Sequence, residues 1–555
     1  MLTDIEIAQR AKLQPIEAIA QRAGLKVGEY ERWGGHKAKV KLEVMNRLKN
    51  NEKGNLILVT TTSPTRAGEG KTTMTIGLAQ ALAKQGHRAM LGIREPSMGP
   101  VFGIKGGAAG GGYSQVLPME EINLHFTGDM HAITAAHNLL AAVINNHMHH
   151  GNLMCLEPRR IYWNRIMDMN DRALRNMVVG LGGTKSGMPQ EDSFDITAAS
   201  EIMAILCLSR DLKDLKKKIS EIVIAEDRDG NFIKAEDMKV VGAMSLLLKE
   251  AIKPNLVQTI EGVPAFVHGG PFANIAHGTS SYISTLLGLH LSDYFVTEAG
   301  FGSDLGAEKF FDIFCRKTEL VPSAVVMVST VRSLKMNGGM DRENLDEENL
   351  EALKRGIDNL RRHLSIIDLY GVPSVVAINR FGTDTQNEID LLIESCEELN
   401  VPVAVSDHYE KGGEGALQVA DLVIKTIRER PCRFKLLYDD GLSIEEKIER
   451  VCRKVYGSGK VDFSLDAKKN IRIFSEKGYS ELPVCMAKTQ YSFSDDKNLL
   501  GAPEDFEMTV SDVRLSAGAG FLIPYMGDIN TMPGLPKKPA AEGMDIADGK
   551  VTGLF

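Results

Sequence analysis

Short apolar runs of strand length alternate with helix-length stretches along most of this 555-residue chain. The runs predict strands at 56–59, 90–93, 265–267, 294–296, 324–329, 374–378 and 401–405. Between most of them the pattern predicts helices, at 74–84, 132–148, 195–208, 280–289, 306–315 and 356–370. Such alternation is typical of a parallel sheet covered by helices on both faces. We therefore predict an α/β fold with a mainly parallel sheet flanked by helices.

The chain is longer than one compact core usually holds, so several domain-sized units are expected. Composition places their boundaries at 1–360, 361–480 and 481–555. Residues 1–50 are predicted to form short amphipathic helices. Beyond about residue 430 the pattern changes to helices at 444–455 and 467–478 and a strand at 507–515. This change predicts smaller accessory α/β domains toward the C-terminus.

A glycine-rich segment joins the first predicted strand to the first long helix. It comprises Thr65, Arg66, Ala67, Gly68, Glu69, Gly70, Lys71, Thr72 and Thr73. A loop of this kind points backbone N–H groups at phosphates, while the lysine neutralises their charge and the hydroxyl after it can reach Mg²⁺. The usual pattern has glycine where this chain has Thr65, and an ordinary glycine-rich turn is the alternative. The context of strand, loop and helix favours a nucleotide-binding loop and a sheet of the P-loop NTPase type.

A second group of polar residues follows the next predicted strand. Arg94 and Glu95 come directly after it, and a run of glycines precedes Tyr113. Ligands of doubly wound sheets lie at the carboxyl ends of strands, so Arg94 and the phosphate loop are predicted to face one cleft. The planar fork of Arg94 suits a carboxylate or an acyl phosphate, although a salt bridge to Glu95 is the alternative. The glycine run indicates one of two things: the backbone approaches a ligand closely, or the segment is a mobile lid.

Later strand ends repeat this layout. Phe301 lies among small and acidic residues, where it is either a flat binding surface or plain core. Asn379 and Phe381 follow another strand, and Tyr409 follows the next, which makes both aromatic rings candidates for stacking on a flat heterocycle. Several strand ends with such residues favour an enzyme that binds more than one substrate.

Asp129 lies at the start of a predicted helix, where it is either an N-cap or a cation ligand. Histidines surround it at positions 125, 131 and 137. A site that transfers phosphate favours Mg²⁺ with oxygen ligands, so packing is the better interpretation of these histidines.

Composition bears on the partners and the cellular compartment of the protein. The formal net charge of −8 argues against a nucleic-acid partner bound through a basic surface. The seven cysteines are scattered without a C-x-x-C pair, which favours free thiols in a reducing compartment. No export signal and no membrane-spanning apolar run is apparent, so the cytoplasm is expected.

Nearly end to end, the chain closely resembles formate–tetrahydrofolate ligase in its monofunctional bacterial form. The segments GIKGGAAGGGY at 103–113 and VSTVRSLKMNGG at 328–339 are similar to the two signature segments of that family. Further similar segments lie at 67–73, 264–278, 298–302, 304–311 and 531–536.

The resemblance implies ATP-dependent joining of formate to tetrahydrofolate, giving 10-formyltetrahydrofolate, ADP and phosphate in one-carbon metabolism. Formate is a poor acyl donor, and phosphorylation would supply a leaving group through formyl phosphate. The resemblance further implies ATP and Mg²⁺, activation by a monovalent cation (K⁺ or NH₄⁺), and a homotetramer without nucleic-acid or membrane partners. Residues 1–360 would bind nucleotide and formyl phosphate, and 361–480 would contribute to the folate or adenine pocket.

By the same resemblance, Lys71 and Arg94 are the catalytic residues and Thr72 and Asp129 lie at metal sites. The implied substrate-binding residues are Glu95, Lys105, Tyr113, Phe301, Gly306, Asn379, Phe381 and Tyr409.

Four positions depart from the family pattern. Tyr409 stands where tryptophan is typical, Arg66 and Gly382 where proline is typical, and Gln190 where arginine is expected. Tyr409 keeps an aromatic surface but a smaller one. Two rival functions remain, another ATP-dependent carboxylate-activating ligase and a nucleotide-switch ATPase, and the physiological direction of the reaction is left open.

Overall fold

The computed structural model describes residues 2–65, 68–104, 109–527 and 529–554. Its centre is a 12-stranded sheet. Across that sheet the strands follow the order Tyr30–Arg32, Ala38–Val40, Asn255–Thr259, Pro264–Val267, Ala89–Ile93, Tyr294–Glu298, Asn55–Thr61, Ala324–Ser329, Ser374–Asn379 and Val403–Ser406. Ser114–Leu117 also pairs with Asn255–Thr259, and Gly110–Gly111 pairs with Ser114–Leu117. From Pro264–Val267 to Val403–Ser406 all neighbours are parallel.

Alternation along the central strand Asn55–Thr61 shows why the sheet is buried on both faces. Leu56 and Leu58 join one apolar cluster, whereas Ile57 and Val59 join the other. Successive side chains of a strand point to opposite faces, so an uninterrupted apolar run needs cover on both sides. The predicted α/β class and mainly parallel sheet are confirmed.

Helices cover the sheet and its edges. They span Asp4–Arg10, Ile16–Arg22, Val44–Leu48, Lys71–Lys84, Met98–Phe102, Met119–Asn123, Asp129–His149, Glu201–Leu208, Leu212–Ser220, Val241–Leu248, Tyr282–Leu291, Arg316–Thr318, Val331–Asn337, Leu350–Leu369, Gln386–Glu398, His408–Lys411, Leu417–Glu429, Ile444–Val451 and Leu465–Glu476. π-Helical segments lie at Ser303–Ala307, Phe310–Cys315 and Cys452–Tyr456. Short 3₁₀ turns lie at Arg172–Leu174, Thr197–Ala199, Arg342–Asn344, Gly412–Ala416 and Ala540–Gly543.

Smaller sheets surround the central one. They pair Leu156–Ile161 and Phe232–Lys234 with Val223–Asp227, Arg165–Met167 with Phe194–Ile196, Met177–Val179 with Gln190–Asp192, Lys460–Phe463 and Phe521–Met526 with Glu507–Ser516, and Asp545–Ala547 with Lys550–Thr552.

Two local predictions were wrong. Residues 30–40 form a hairpin instead of a helix, because Ala38 and Lys39 pair with the distant strand Asn255–Thr259. The helix predicted at 195–208 begins only at Glu201, because Phe194–Ile196 pairs with Arg165–Met167.

The central sheet contains strands from both sides of the proposed domain boundary at 360, since Ser374–Asn379 pairs with Ala324–Ser329. The proposed boundaries at 360 and 480 stay a prediction.

All seven cysteines are free, as predicted. In the part of the chain that the structure describes, no helix is long and apolar enough to cross a membrane.

Candidate active site

The loop between Asn55–Thr61 and Lys71–Lys84 has the backbone that a phosphate-binding loop needs. Gly68 and Gly70 have φ of +85° and +77°, a region in which side chains are strained. A Cβ on Gly70 would lie 2.4 Å from Asn379 Nδ2. The next residue, Lys71, begins the helix, so the helix N-terminus opens at this loop. Arg66 and Ala67 lie outside the described residues.

The Glu69 side chain holds the loop through hydrogen bonds. The side chain is buried, Oε1 accepts from the Thr65 N–H at 2.7 Å, and Oε2 accepts from the Thr330 hydroxyl. Asn379 Nδ2 donates to the Glu69 carbonyl at 3.1 Å. The loop is therefore held by residues from two other strand ends, and Asn379 faces the loop backbone.

The first helical turn makes two further polar contacts. The Thr72 hydroxyl donates to Glu298 Oε2 at 2.8 Å. The Thr73 hydroxyl donates to the Gly70 carbonyl at 2.8 Å and lies 3.0 Å from His408 Nε2. Burial lowers the pKa of His408 to about 4, so its imidazole is neutral at pH 7. Glu298 and His408 were not among the predicted site residues, and only their position after strand ends signals them.

A cavity of about 250 Å³ brings the two predicted groups together. It is lined by Thr72, Arg94, Glu95, Pro96, Ser97, Pro100, Val101, Ala198, Gly270, Pro271, Phe272, Ala273, Glu298 and Phe301. The strands that end at Ile93 and Glu298 are neighbours in the sheet, and the strand that ends at Glu298 lies between the other one and Asn55–Thr61. This adjacency is the reason that residues distant in sequence share one cleft.

Arg94 and Glu95 differ in what they contact. Arg94 Nη1 donates to the Pro271 carbonyl at 3.3 Å, and its buried Nε has no hydrogen-bond partner. Glu95 is buried, and its Oε2 also lacks a partner. Among the described residues no ion pair joins the two, and of the guanidinium nitrogens Nη1 contacts Pro271 while Nε is unpaired. Burial, with the Asp129 carboxylate nearby, raises the pKa of Glu95 well above its usual range.

Phe301 lines the cavity from a strained turn. Its φ of 62° is left-handed, which is unusual for a residue with a large side chain. The residue is partly exposed and lines the cavity, which favours the binding-surface alternative over plain core. Gly306 lies behind this turn, where an added Cβ would be 1.9 Å from the Gly300 carbonyl oxygen. Gly306 thus supports the turn and does not line the cavity.

The Asp129 carboxylate is bound by two side chains of the protein. Asp129 is the first residue of Asp129–His149, with Gly128 as the N-cap. Lys39 Nζ donates to both carboxylate oxygens at 2.8 and 2.9 Å, and Asn255 Nδ2 donates to Oδ2 at 2.7 Å. The carboxylate is paired with the Lys39 ammonium, and a metal role for Asp129 stays a prediction. Among the described residues no group of three or more His, Cys, Asp or Glu could hold a metal ion.

The other predicted aromatic residues do not line the Arg94 cavity. Arg332 lies over the Phe381 ring, 5.1 Å from its centroid. Tyr409 and Tyr113 are 38% and 45% exposed, and the Tyr113 N–H donates to the Tyr409 carbonyl at 2.8 Å. Lys105 lies outside the described residues.

A second cavity, of about 420 Å³, includes Thr65 and shares no lining residue with the Arg94 cavity. Apolar surface comes from Met336, Leu345, Tyr491 and Leu500, and the other lining residues are Arg332, Arg342, Asp346, Lys497 and Asn498. A concave site that combines apolar surface with charged side chains can hold an organic ligand that carries polar groups.

A comparison with protein families gives one finding. Residues 2–555 match the family model described as Formate--tetrahydrofolate ligase.

Proposed function

The chain belongs to the formate–tetrahydrofolate ligase family, and from this membership we propose how its site performs the reaction. Members of the family catalyse the ATP-dependent ligation of formate to tetrahydrofolate, which gives 10-formyltetrahydrofolate in one-carbon metabolism. The observation that carries the assignment of residues is the cavity shared by Thr72 and Arg94.

ATP binds with its phosphates on the loop before Lys71–Lys84. The left-handed Gly68 and Gly70 support this placement, because they let the backbone approach an anion at a helix N-terminus. Lys71 neutralises the outer phosphates. The base and ribose extend past Thr65 into the cavity of about 420 Å³, where Leu345 and Leu500 supply apolar surface.

Mg²⁺ fits beside these phosphates. Thr72 and Glu298 would hold it, since hydroxyl and carboxylate oxygens are the donors that Mg²⁺ prefers and the two side chains are in contact. When bound, the metal would neutralise charge on the phosphates.

Formate activation takes place in the Arg94 cavity. A formate oxygen attacks the γ-phosphorus of ATP and ADP leaves, which yields formyl phosphate. Arg94 clamps this anion, because its fork matches a carboxylate or phosphate and its Nε–H is free of protein partners. The buried setting excludes water that would hydrolyse the acyl phosphate.

The folate amine then attacks the formyl carbon. Phosphate leaves with the electron pair of the broken bond, and the nitrogen loses its proton. Phe301, Phe381 and Tyr409 are at least partly exposed rings that offer flat surfaces for the pterin. Glu95 and Tyr113 are further proposed substrate contacts. Other features expected from the resemblance are proposals without an assigned step: Lys105 as a substrate contact, activation by K⁺ or NH₄⁺, a homotetramer and a cytoplasmic location.

The phosphate site can be tested with Lys71→Ala and its control Lys84→Ala. Lys84 ends the same helix, and its contact with Glu261 is on the far side from the loop. We expect formate-dependent formation of 10-formyltetrahydrofolate to disappear in the first variant and to persist in the second. Product formation at the wild-type rate by Lys71→Ala would contradict the assignment of the phosphate loop.

A further inference from the structure

The N-terminal helix Asp4–Arg10 is fixed more firmly than its length suggests. Thr3 forms a capping box with Glu6, and the Thr3 N–H donates to Glu6 Oε2 at 2.8 Å. Ile5 and Ile7 are buried, and Ile5 joins the apolar cluster on one face of the sheet. The helix therefore holds Asp4 in a defined place.

Asp4 contacts two segments that the proposed function assigns to the substrate pocket. Its Oδ1 accepts from the Gly112 N–H and from the Tyr409 hydroxyl, each at 2.8 Å. Its carbonyl accepts from Gln115 Nε2 at 3.0 Å. An added Cβ on Gly111 would lie 2.7 Å from Asp4 Oδ2, so the close approach of carboxylate and loop requires glycine there.

The same contacts hold Tyr409 at both ends. At the backbone, its carbonyl accepts from the Tyr113 N–H at 2.8 Å. At the tip of the ring, the hydroxyl is bound to Asp4. Burial and the hydrogen bond to Asp4 raise the pKa of the Tyr409 hydroxyl, so it remains a donor throughout the neutral range. The ring is thus oriented while 38% of the residue stays open to solvent.

We propose that Asp4 is a positioning residue for tetrahydrofolate, which orients the Tyr409 ring so that it receives the flat pterin. The inference rests on the proposed placement of the pterin at Tyr409. A preoriented ring binds more tightly, because binding no longer has to immobilise a rotating side chain. Tyrosine, which stands where the family typically has tryptophan, supplies the hydroxyl that Asp4 holds.

The test compares Asp4→Ala and Tyr409→Phe with the wild-type enzyme. Each removes the hydroxyl–carboxylate bond, and Tyr409→Phe keeps the aromatic ring. We expect each to raise the KM for tetrahydrofolate about 3- to 10-fold, with much smaller changes in kcat and in the KM for ATP. The double variant should exceed Asp4→Ala by little, since both substitutions remove the same bond. Asp4→Asn keeps an acceptor oxygen and should restore most of the affinity.

Arg10→Gln is the matched control, since it alters a charged side chain in the last turn of the same helix, away from the capping box and from Tyr409. It should leave the KM for tetrahydrofolate unchanged. A uniform loss of kcat and thermal stability in Asp4→Ala, without a specific rise in that KM, would show a merely structural role and overturn the proposal.

Tyr409→Ala separates this inference from the proposed function. If Tyr409→Ala leaves tetrahydrofolate binding at the wild-type level, the pterin does not lie at Tyr409 and the proposed placement fails. If Tyr409→Ala weakens binding but Tyr409→Phe and Asp4→Ala do not, the placement stands and the role of Asp4 is overturned.

Discussion

At the scale of single residues, the Arg94 cavity contains two ionisable side chains with buried atoms that lack hydrogen-bond partners. Arg94 Nε and Glu95 Oε2 are buried without partners. Leaving buried polar atoms unpaired costs about 1–3 kcal/mol each. In a ligand-binding site, such unpaired atoms are available to the ligand. Arg94 and Glu95 both line the cavity at Thr72, where one ligand can contact both.

Arg94→Lys tests whether the guanidinium fork holds the acyl phosphate. Lysine keeps the charge but cannot form two parallel hydrogen bonds. We expect kcat/KM for formate to fall by about 100-fold or more, with the KM for ATP nearly unchanged. Arg88→Lys is the control, because Arg88 precedes the opposite end of the same strand and pairs with Asp293 at the surface. A similar loss in both variants would contradict the proposal.

At the scale of elements, the site is a set of neighbouring strand ends. Asn55–Thr61 lies between Tyr294–Glu298 and Ala324–Ser329 in the sheet, so the phosphate loop receives Glu298 from one side and Thr330 from the other. Parallel pairing makes this possible, since all these strands end at the same edge. The start of Lys71–Lys84 is defined by Gly70, which no other residue type could replace without strain.

Gly70→Ala tests this junction against Gly86→Ala. Both glycines have positive φ, and Gly86 follows the other end of the helix with nothing near an added Cβ. We expect Gly86→Ala to cost about 1 kcal/mol of unfolding free energy and to leave the KM for ATP unchanged. Gly70→Ala adds a clash with Asn379 and should lose more stability and most ATP binding. Equal melting temperatures and equal KM values for the two variants would contradict the inference.

At the scale of the whole molecule, the central sheet extends past the proposed boundary at 360, and the C-terminal segments are tied to it. Lys488 and Asp304 form a fully buried ion pair with an N–O distance of 2.8 Å. Glu201, which begins Glu201–Leu208, accepts from the N–H groups of Gly518 and Ala519. The turn between Glu507–Ser516 and Phe521–Met526 and the segment at Lys488 are therefore each anchored through a single ionisable residue.

The Glu201 anchor predicts a pH dependence. Burial raises the pKa of Glu201 to about 7, above its ordinary value of 4.5. Since the folded-state pKa is the higher one, the stabilisation is complete below about pH 4.5 and is lost as the pH rises to about 7. The loss amounts to at most about 3 kcal/mol. Glu201→Gln lacks this titration. The melting temperature of the variant minus that of the wild-type protein should therefore increase from pH 5 to pH 8.

Other groups titrate in the same interval, so the difference between the two proteins is the quantity to measure. A constant difference across that range would show that Glu201 ionises in the folded protein as it does in the unfolded chain.

The sequence by itself determined the fold class, the strands of the parallel sheet and the glycine-rich loop before Lys71–Lys84, because these depend on local signals. Apolar runs such as 324–329 became a strand with those bounds, and glycines at positive φ mark the loop. The family signatures are likewise contiguous in sequence, and they identified the reaction.

Only the tertiary structure decided which residues meet. Strand order is set by pairing between distant segments, as in the hairpin at 30–40 that joins Asn255–Thr259. That order places Glu298 on Thr72 and His408 beside Thr73, contacts that no local pattern indicates. It also engages Asp129 with Lys39 and brings Asp4 to Tyr409 across 405 positions of the chain. Side-chain partners depend on packing over such separations, and that is the physical reason they cannot be predicted from local sequence.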